Sequence, residues 1–393
     1  MSCKLNDVCE LIVDCPHSTE PDEGEGYPII RTPNIGVGYL DLEGVQRVSR
    51  AAYDRRNIRA IPRPNDLILA REAPAGNVGI IREGAEVCLG QRTVLIRPNA
   101  EKVSPLFLNY YLNAPKQRHA LLSNSNGATV SHVNMPIIRN LVIELPDREA
   151  QDRIAGVLSA YDELVENNRR QIKLLEEAVQ RLYKEWFIDL KFPGHETTSI
   201  VNGLPEGWRM GCLGECCTLV KTISKQDERT GNELYIGLEH MPKGSICLRA
   251  HGVAADVIGN KTKFQKGDIL FGKIRPYFHK VGFAQFDGIT STDAIVMRAV
   301  EGKQALLLAV TSSDEFVSYA TATSKTGTKM PRADWNAMKS YQIPIPSVDV
   351  ALRFETVYES FVSSIAQCSS LIVAAREARD RLLPKLMSGE IEV

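Results

Sequence analysis

The stretch DREAQDRIAGVLSAYDELVENNRRQIKLLEEAVQRLYKEWF, residues 147–187, and its counterpart SVDVALRFETVYESFVSSIAQCSSLIVAAREARDRLLPKLM, residues 347–387, decide the fold of this chain. Both carry apolar residues at alternating spacings of three and four, and no glycine or proline interrupts 157–192 or 347–383. A 3.5-residue repeat held over about 40 residues predicts a helix on the order of 60 Å long that needs a partner helix. We therefore predict that the two helices pair with each other as an antiparallel coiled coil.

Each segment has ten seam positions, of which nine are apolar. The first seam is Ile154, Leu158, Tyr161, Val165, Asn168, Ile172, Leu175, Val179, Leu182 and Trp186. The second seam is Phe354, Tyr358, Phe361, Ile365, Cys368, Ile372, Ala375, Arg379, Leu382 and Leu386. The alternative is a pair of ordinary bundle helices within a larger core. The unbroken length of the helices and the alternating charges outside the seam argue against this alternative.

The two polar seam residues and the helix ends carry further predictions. Asn168 is expected to fix the register, because a buried amide tolerates only alignments that give it a partner. Arg379 is expected either to do the same or to face solvent near the helix end. Asp147 and Ser347 are predicted N-caps, and Pro384 is predicted to end or kink the second helix.

The chain also repeats itself. Residues 106–182 align without a gap with residues 306–382, so that Leu106 corresponds to Leu306 and Arg153 to Arg353. Upstream, residues 66–69 match residues 268–271, and residues 5–9 loosely match residues 213–217, with growing offsets. Two similar domains usually contact two similar things or one object with two-fold symmetry. An old duplication without functional symmetry is the alternative.

Outside the helices, short β-like and helical runs alternate with turn signals and predict compact mixed domains of the α+β class. Strands are predicted at 66–70, 93–96, 141–145, 269–272, 294–297 and 341–345, and helices at 105–112 and 304–311. Pro344 argues for an edge position of the last strand. The predicted order is a domain at 1–146, a helix at 147–187, a linker at 188–207, a domain at 208–346, a helix at 347–387 and a tail at 388–393.

Composition excludes several classes of protein. With 393 residues and 44% hydrophobic residues, the chain is long and apolar enough for two or three domains with real cores. The formal charge is 47 − 48 = −1, so any attraction for nucleic acid must be regional. No run of about 18 apolar residues predicts a membrane span, and no export signal is apparent at the start. The nine cysteines are then expected to be reduced cytosolic thiols.

The globular regions are regionally cationic. Residues 31–97 contain eleven Arg, no Lys and seven acids, which gives 11 − 7 = +4, and residues 210–330 give 15 − 12 = +3. The helix at 147–187 is acidic, at 7 − 9 = −2. Cationic domains on an acidic helix favour DNA as the partner. The candidate DNA contacts are Arg55, Arg56, Arg59, Arg71, Arg92, Lys261, Lys263, Lys273, Arg275, Tyr277, Lys280, Lys325 and Lys329; for any single residue, solvated surface is the alternative.

Sequence patterns for catalysis are missing. Gly272-Lys273 and Gly302-Lys303 are followed by Ile and Gln, so no phosphate-binding loop is formed, and no Pro-Pro pair suits an amino-methyltransferase. Pro146-Asp147 and Asp189-Leu190-Lys191 lie at opposite ends of a predicted helix of roughly 60 Å and cannot share a metal. Cys212, Cys216 and Cys217 do not form paired Cys-x-x-Cys ligands. We therefore predict neither a catalytic site nor a metal site.

Several motifs resemble the specificity subunit of type I restriction–modification enzymes over nearly the whole chain. They are Ile12–Thr19 with Ile30–Ile35, Leu145-Pro146 leading to Gln151–Ile154, Leu204–Trp208, and most specifically Arg381–Ile391. The second copy departs from the family pattern around Val350-Ala351, where the usual Glu-Gln pair is replaced, which affects a helix start.

The resemblance implies two target recognition domains that each read half of a bipartite DNA site, held apart by paired helices in a pseudo-two-fold repeat. It implies partners, namely two modification (methyltransferase) subunits and restriction–translocase subunits, which would carry S-adenosylmethionine, ATP and magnesium. We thus predict a non-catalytic, cytoplasmic DNA-binding subunit without a membrane contact. The alternative is a coiled-coil adaptor that binds only proteins, which would show no salt-dependent affinity for DNA.

Overall fold

The computed structural model describes residues 2–123, 132–324 and 330–393, which fall into two compact units. Unit 1 comprises Met1–Leu164 and Ala374–Val393, and unit 2 comprises Val165–Val373. Both units mix helices and strands and include parts of the long helices, as the fold class predicts. The unit boundaries lie within the two helices, whereas the sequence prediction placed domain boundaries at the helix ends.

The strands of unit 1 form three sheets among its described residues. They are β1 (Ser2–Lys4), β2 (Cys9–Asp14), β3 (Tyr27–Ile30), β4 (Arg47–Val48), β5 (Leu67–Ala70), β6 (Val78–Ile80), β7 (Cys88–Leu89), β8 (Thr93–Pro98) and β9 (Val142–Glu144). The main sheet is antiparallel with the order β2-β8-β5-β6. A second sheet has the order β4-β3-β7, in which β3 and β7 are parallel, and β1 pairs with β9.

The main sheet of unit 1 buries both of its faces. The helices of this part of the chain are α1 (Arg50–Arg56), α2 (Pro105–Asn113), α3 (Pro115–Ser123), α4 (Met135–Arg139) and the long α5 (Arg148–Tyr183). Leu67 and Leu69 share a core with α2 and the long helices, whereas Ile68 and Leu95 belong to a second core on the opposite face. Because neighbouring strand residues point to opposite faces, two cores explain the continuous apolar runs in these strands.

The strands of unit 2 repeat this arrangement with additions. They are β10 (Ile200–Val201), β11 (Leu204–Pro205), β12 (Arg209–Cys212), β13 (Cys217–Leu219), β14 (Ile223–Ser224), β15 (Leu234–Ile236), β16 (Cys247–Leu248), β17 (Gly252–Val253), β18 (Lys261–Phe264), β19 (Ile269–Gly272), β20 (Val281–Ala284), β21 (Gly288–Thr290), β22 (Ala294–Ala299) and β23 (Gln342–Ile345). Two five-stranded sheets have the orders β13-β22-β19-β20-β16 and β14-β18-β21-β15-β17. β10 pairs with β11, and β12 pairs with β23.

The element order of unit 2 follows that of unit 1. Its helices are α6 (Gln304–Thr311), α7 (Asp314–Ala322), α8 (Trp335–Lys339) and the long α9 (Val348–Ser388). In both units a strand near the start pairs with the strand that precedes a long helix, β1 with β9 and β12 with β23. Pro344 lies in β23, which has no second neighbour among the described strands, so its predicted edge position is confirmed.

The long helices begin and end close to the predicted residues. The Oδ1 atom of Asp147 accepts a hydrogen bond from the backbone N of Ala150 at 2.8 Å, which confirms the predicted N-cap of α5. A π-helical turn at Lys184–Ile188 follows α5. Pro384 does not end α9, which continues to Ser388. The backbone there stays helical because Leu383 and Leu386, on either side of the proline, are buried in the core of unit 1.

The seam positions of both helices are buried or half-buried without exception. In unit 1, Ile154 and Leu158 share a hydrophobic core with Leu383 and Leu386. The corresponding core of unit 2 includes Val179, Phe354, Tyr358 and Ile365, and packed against it are Ile172, Leu175, Leu182 and Phe361. Tyr161, Ile372 and Leu382 are half-buried, and Val165 and Asn168 are buried. Both long helices therefore contribute to the core of each unit.

Arg379 lies inside unit 1 rather than in solvent. Its Nη1 atom donates to Asp162 Oδ1 at 2.5 Å, and its Nη2 atom donates to Asp380 Oδ1 at 2.8 Å. The hydroxyl of Tyr110, on α2, donates to the other carboxylate oxygen of Asp162 at 2.5 Å. This buried network joins α2, α5 and α9, and it excludes the solvent-facing alternative for Arg379.

One helix, α9, is long and apolar enough to cross a membrane by length and composition alone, with a mean hydropathy of 1.2 over 18 residues. Core helices of proteins without membrane spans pass the same test, so the finding is weak. The buried seam residues of α9 pack within the two units, whereas Val348, Leu352 and Leu371 on the same helix are exposed.

Candidate nucleic-acid interface

The arginines predicted to contact DNA in unit 1 have two different environments. Arg55, Arg59 and Arg92 are exposed enough to reach solvent, and each forms an ion pair. Their partners are Glu20, Asp14 and Glu72, respectively. A DNA phosphate would have to compete with these carboxylates, so the local charge balance overstates the positive charge that unit 1 offers to DNA.

Arg56 is a correction to the sequence prediction. Its side chain is buried, with 2% exposure of the residue, and its guanidinium donates to three backbone carbonyls. The distances are 2.6 Å to Leu89 O, 2.5 Å to Ser18 O and 3.0 Å to Pro16 O. A guanidinium satisfied in this way ties α1 to β7 and to the loop that follows β2, and it is not available to a phosphate.

Arg71 is a second correction, because it is also buried. Its Nε atom donates to Val133 O at 2.8 Å, and its Nη2 atom lies 2.8 Å from His132 Nε2. Because a guanidinium can only donate, His132 Nε2 must accept, which leaves its Nδ1–H to donate to Glu72. Glu72 in turn binds Arg92 Nε at 2.9 Å. Arg92 is therefore the member of this network that faces solvent.

Two candidate cations of unit 2 donate to backbone carbonyls. Lys263 is exposed, and Lys261 and Lys280 are half-buried, with their ammonium groups donating to Ile258 O at 2.6 Å and Leu238 O at 2.5 Å. Burial first, and then a neighbouring cation, lowers the pKa of Lys261 and Lys280. Lys273 is half-buried and lines a cavity of about 450 Å³ together with Arg332 and Trp335.

An aromatic and cationic cluster surrounds Arg275. Arg275 adopts a left-handed conformation with φ of 50°, and its guanidinium lies 5.8 Å from the ring centroid of Phe278. Tyr277 is exposed and packs edge-on against Phe278, with ring centroids 4.9 Å apart. The ammonium of Lys243 lies 4.5 Å from the Phe278 centroid. Sequence reasoning missed Lys243 because it lies 32 positions before Arg275, outside the cationic run.

The remaining candidates, Lys325 and Lys329, lie outside the described residues. Unit 1 therefore presents Arg55, Arg59 and Arg92, and unit 2 presents Lys261, Lys263, Lys273, Arg275, Tyr277 and Lys280. Each unit thus has exposed or half-buried cations among its candidate residues, and those of unit 1 are paired with acids.

No group of three or more His, Cys, Asp or Glu residues in the described part of the chain is placed to hold a metal ion. All nine cysteines, which lie within the described ranges, are free thiols. Burial raises the pKa of Cys9, Cys88 and Cys217 to about 12, so these thiols remain protonated at neutral pH and are poor nucleophiles.

Two mixed α/β units with a recurring element order and long shared helices define a duplicated architecture. The family model for the type I restriction modification DNA specificity domain matches residues 1–177 and again residues 205–350. Together the two matches cover more than half of the chain, which therefore belongs to this family. Specificity subunits are the non-catalytic targeting subunits of type I restriction enzymes, as the resemblance implied.

Individual relatives extend this finding over the full length. The MjaIX type I restriction enzyme specificity subunit of Methanocaldococcus jannaschii is 24% identical over 99% of this chain and 93% of its own length. The EcoDI specificity subunit of Escherichia coli is 20% identical over 77% of this chain and 73% of its own length. The crystal structure of the S subunit from M. genitalium shares the fold, with a TM-score of 0.53 and 14% identity over 98% of this chain and 95% of that chain.

Proposed function

We propose that this chain reads a bipartite duplex DNA target, with one half-site for each unit, and scaffolds the other subunits of a type I restriction–modification complex. The observation that carries the proposal is that a DNA specificity domain matches twice, over residues 1–177 and 205–350. The exposed cations of each unit support it, because phosphate contacts supply most of the sequence-independent affinity for DNA.

The two long helices act as a spacer in this proposal. They pair as an antiparallel coiled coil, with the repeats related by a pseudo-two-fold axis, and their length and register set the distance between half-sites. The buried seam on both helices supports this role. The predicted division at 1–146, 147–187, 188–207, 208–346, 347–387 and 388–393 is then a functional one, with recognition domains alternating with helices.

The partners and cofactors belong to the same proposal. Two modification subunits and restriction–translocase subunits assemble on this chain, and they bind S-adenosylmethionine, ATP and magnesium. The complex works in the cytoplasm, without a membrane contact. The full-length similarity to specificity subunits of type I restriction enzymes supports this assignment.

Replacing both Lys273 and Arg275 by Ala tests DNA recognition by unit 2. We expect weaker binding of duplex DNA and a slope of log affinity against log salt that is reduced by about 2, since each lost phosphate contact removes about 0.9. The measurement is fluorescence anisotropy with a labelled duplex at several salt concentrations, using the chain assembled with its modification subunits.

The matched control replaces Lys339 and Arg353 by Ala. It also removes one lysine and one arginine, but from exposed positions elsewhere in the chain. Its affinity and slope should equal those of the wild type. An unchanged slope in the first variant removes that surface from the proposal. A complete lack of salt-dependent binding by the wild-type assembly favours a protein-binding adaptor instead.

A further inference from the structure

Two isoleucines are more exposed than any other large hydrophobic residue of the described chain. Ile58 in unit 1 is 82% exposed, and Ile258 in unit 2 is 83% exposed. Full burial of such a side chain is worth about 1.5–3 kcal/mol. Single exposed aliphatic residues are common on protein surfaces, so exposure alone does not indicate a function.

The two isoleucines occupy the same place in each unit. In unit 1, β4 leads into α1, which ends at Arg56, and Ile58 follows two residues later. In unit 2, β17 leads into a 3-10 turn that ends at Asp256, and Ile258 again follows two residues later. The nearest matched segment of the internal repeat, residues 66–69 with residues 268–271, has an offset of 202, so the separation of 200 residues is close to the local offset. The duplicated position makes coincidence a poor explanation.

The segment that carries Ile258 is braced by its neighbours. Arg229 donates to Val257 O at 3.3 Å and to Gly259 O at 2.6 Å, and Lys261 donates to Ile258 O at 2.6 Å. Three consecutive carbonyls are thus satisfied by cationic side chains. The backbone that carries Ile258 is therefore anchored by hydrogen bonds. A loose loop is not the reason for the exposure of this side chain.

The segment that carries Ile58 is also anchored on both sides. The buried guanidinium of Arg56 lies two residues before it. Three residues after it, Ile61 O accepts from Arg97 Nη2 at 2.8 Å. The backbone N of Asn57 donates to Tyr53 O at 3.1 Å and closes the last turn of α1. Both units therefore hold an apolar side chain outward from a well-anchored turn.

Exposed cations lie near both apolar tips in the sequence. Arg55, Arg59 and Arg63 are exposed near Ile58, although Arg55 and Arg59 pair with Glu20 and Asp14, and Lys263 and Lys266 are exposed near Ile258. Duplex DNA offers the complementary surface, because its phosphates flank grooves where base edges and base steps accept apolar side chains. A purely apolar protein partner would not require the cations.

We propose that Ile58 and Ile258 are apolar base contacts, one in each recognition domain, which enter a DNA groove while the neighbouring cations contact the phosphates. This inference rests on the proposed function and deepens it. It predicts that the two residues contribute to binding of the specific target and not to sequence-independent binding.

The test compares Ile58→Ala, Ile258→Ala and the double variant in the chain assembled with its modification subunits. The probes are a fluorescein-labelled 45-bp duplex that carries the target, identified by mapping methylated bases, and a duplex of the same length with the target scrambled. We expect each single variant to bind the target about tenfold more weakly. Binding to the scrambled duplex and the salt slope should stay unchanged.

Controls separate this effect from general ones. Ile200→Ala removes another exposed isoleucine, 60% exposed, and should bind the target like the wild type. Ile58→Leu should keep most of the affinity, because the contact is apolar rather than polar. If a target with deoxyuridine in place of thymine binds the wild type as weakly as the normal target binds the alanine variants, the isoleucines contact thymine methyl groups. If the alanine variants straighten the duplex in a FRET assay, the isoleucines act as wedges between base steps.

Three results would contradict either this inference or the proposed function. Unchanged target affinity in the double variant overturns the inference while leaving the proposed function intact. Loss of co-purifying modification subunits, at an unchanged thermal midpoint, assigns the isoleucines to a protein interface and overturns it as well. If the wild-type assembly binds neither duplex in a salt-dependent way, the proposed function itself is wrong.

Discussion

Arg55 and Arg56 are neighbours on α1, yet solvent reaches only one of their guanidinium groups. The Arg55 side chain is 62% exposed and pairs with Glu20 across 35 residues of sequence. Arg56 points inward and bonds to carbonyls of residues 16, 18 and 89. Two identical side chains in adjacent positions thus have separate roles, one at the surface and one in the interior.

Replacing each arginine by Ala should separate these roles. Arg56→Ala removes a buried guanidinium and leaves one buried and two partly buried carbonyls without their donor, and we expect a loss of about 3 kcal/mol in the free energy of unfolding. Arg55→Ala should change stability by no more than about 0.5 kcal/mol and should weaken DNA binding. Thermal midpoints and DNA affinities measure both effects; equal midpoints for the two variants would contradict this assignment.

Glu215 provides a pH-dependent contribution to stability. Hydrogen bonds from Arg209 at 2.6 Å and from the Cys212 backbone at 2.9 Å lower the pKa of Glu215 from its usual 4.5 to about 2. A pKa that is lowered in the folded state stabilises the protein above the unfolded pKa, and this contribution is lost as the pH falls from about 4.5 to about 2.

Glu215→Gln should therefore lower the thermal midpoint more at pH 6 than at pH 3. At pH 3, wild-type Glu215 has already lost part of its contribution to stability. The measurement is the difference in midpoint between wild type and variant as a function of pH. A difference that stays constant from pH 6 to pH 3 would show that the carboxylate contacts do not stabilise the fold.

Individual site residues were harder to predict than the elements that carry them. Charge counting treats Arg55, Arg56, Arg59 and Arg71 alike, because it contains no information about which guanidinium points inward. The deciding partners are distant in sequence, such as Val133 for Arg71. Lys263, in contrast, is exposed, and its contact with DNA stays a prediction.

At the scale of elements, periodicity was a reliable guide. The strand Ile269–Gly272 and the helix Gln304–Thr311 have the predicted bounds, and the seam positions of α5 and α9 are all at least half-buried. Strand order was not predictable, because β3 pairs in parallel with β7 across nearly 60 residues. Local patterns specify which face of a strand is apolar, and they do not specify its neighbour.

Two leucines of α5 test the seam directly. Leu158 is fully buried, in the core that includes Leu383 and Leu386, whereas Leu174 is 64% exposed on the same helix. We expect Leu158→Ala to lower the free energy of unfolding by about 2–5 kcal/mol. Leu174→Ala should change it by no more than about 0.5 kcal/mol. Similar thermal midpoints for the two variants would argue against the seam assignment.

At the scale of the whole molecule, the spacer role of the helices predicts a change in target spacing. Gln171 on α5 and Cys368 on α9 are in contact at 3.3 Å, so one heptad inserted at each position keeps the seam in phase. Seven residues add about 10 Å, which corresponds to about three base pairs of duplex at 3.4 Å each.

We expect the doubly lengthened protein to direct methylation to half-sites separated by about three more base pairs, with the half-site sequences unchanged. Long-read mapping of methylated bases in a host that expresses the complex gives this spacing. Insertion into one helix alone is the control and should destabilise the protein. Unchanged spacing with the double insertion would refute the spacer role.

The contact of Tyr110 and Arg379 with Asp162 constrains how recognition domains can be exchanged between related proteins. A chimera joined after residue 146 would import its own residue at position 110 but retain the aspartate and arginine of the recipient. If the imported side chain lacks a hydroxyl, an interior carboxylate oxygen loses its donor. Donor sequences with Tyr at this position are therefore the compatible ones for building new specificities on this scaffold.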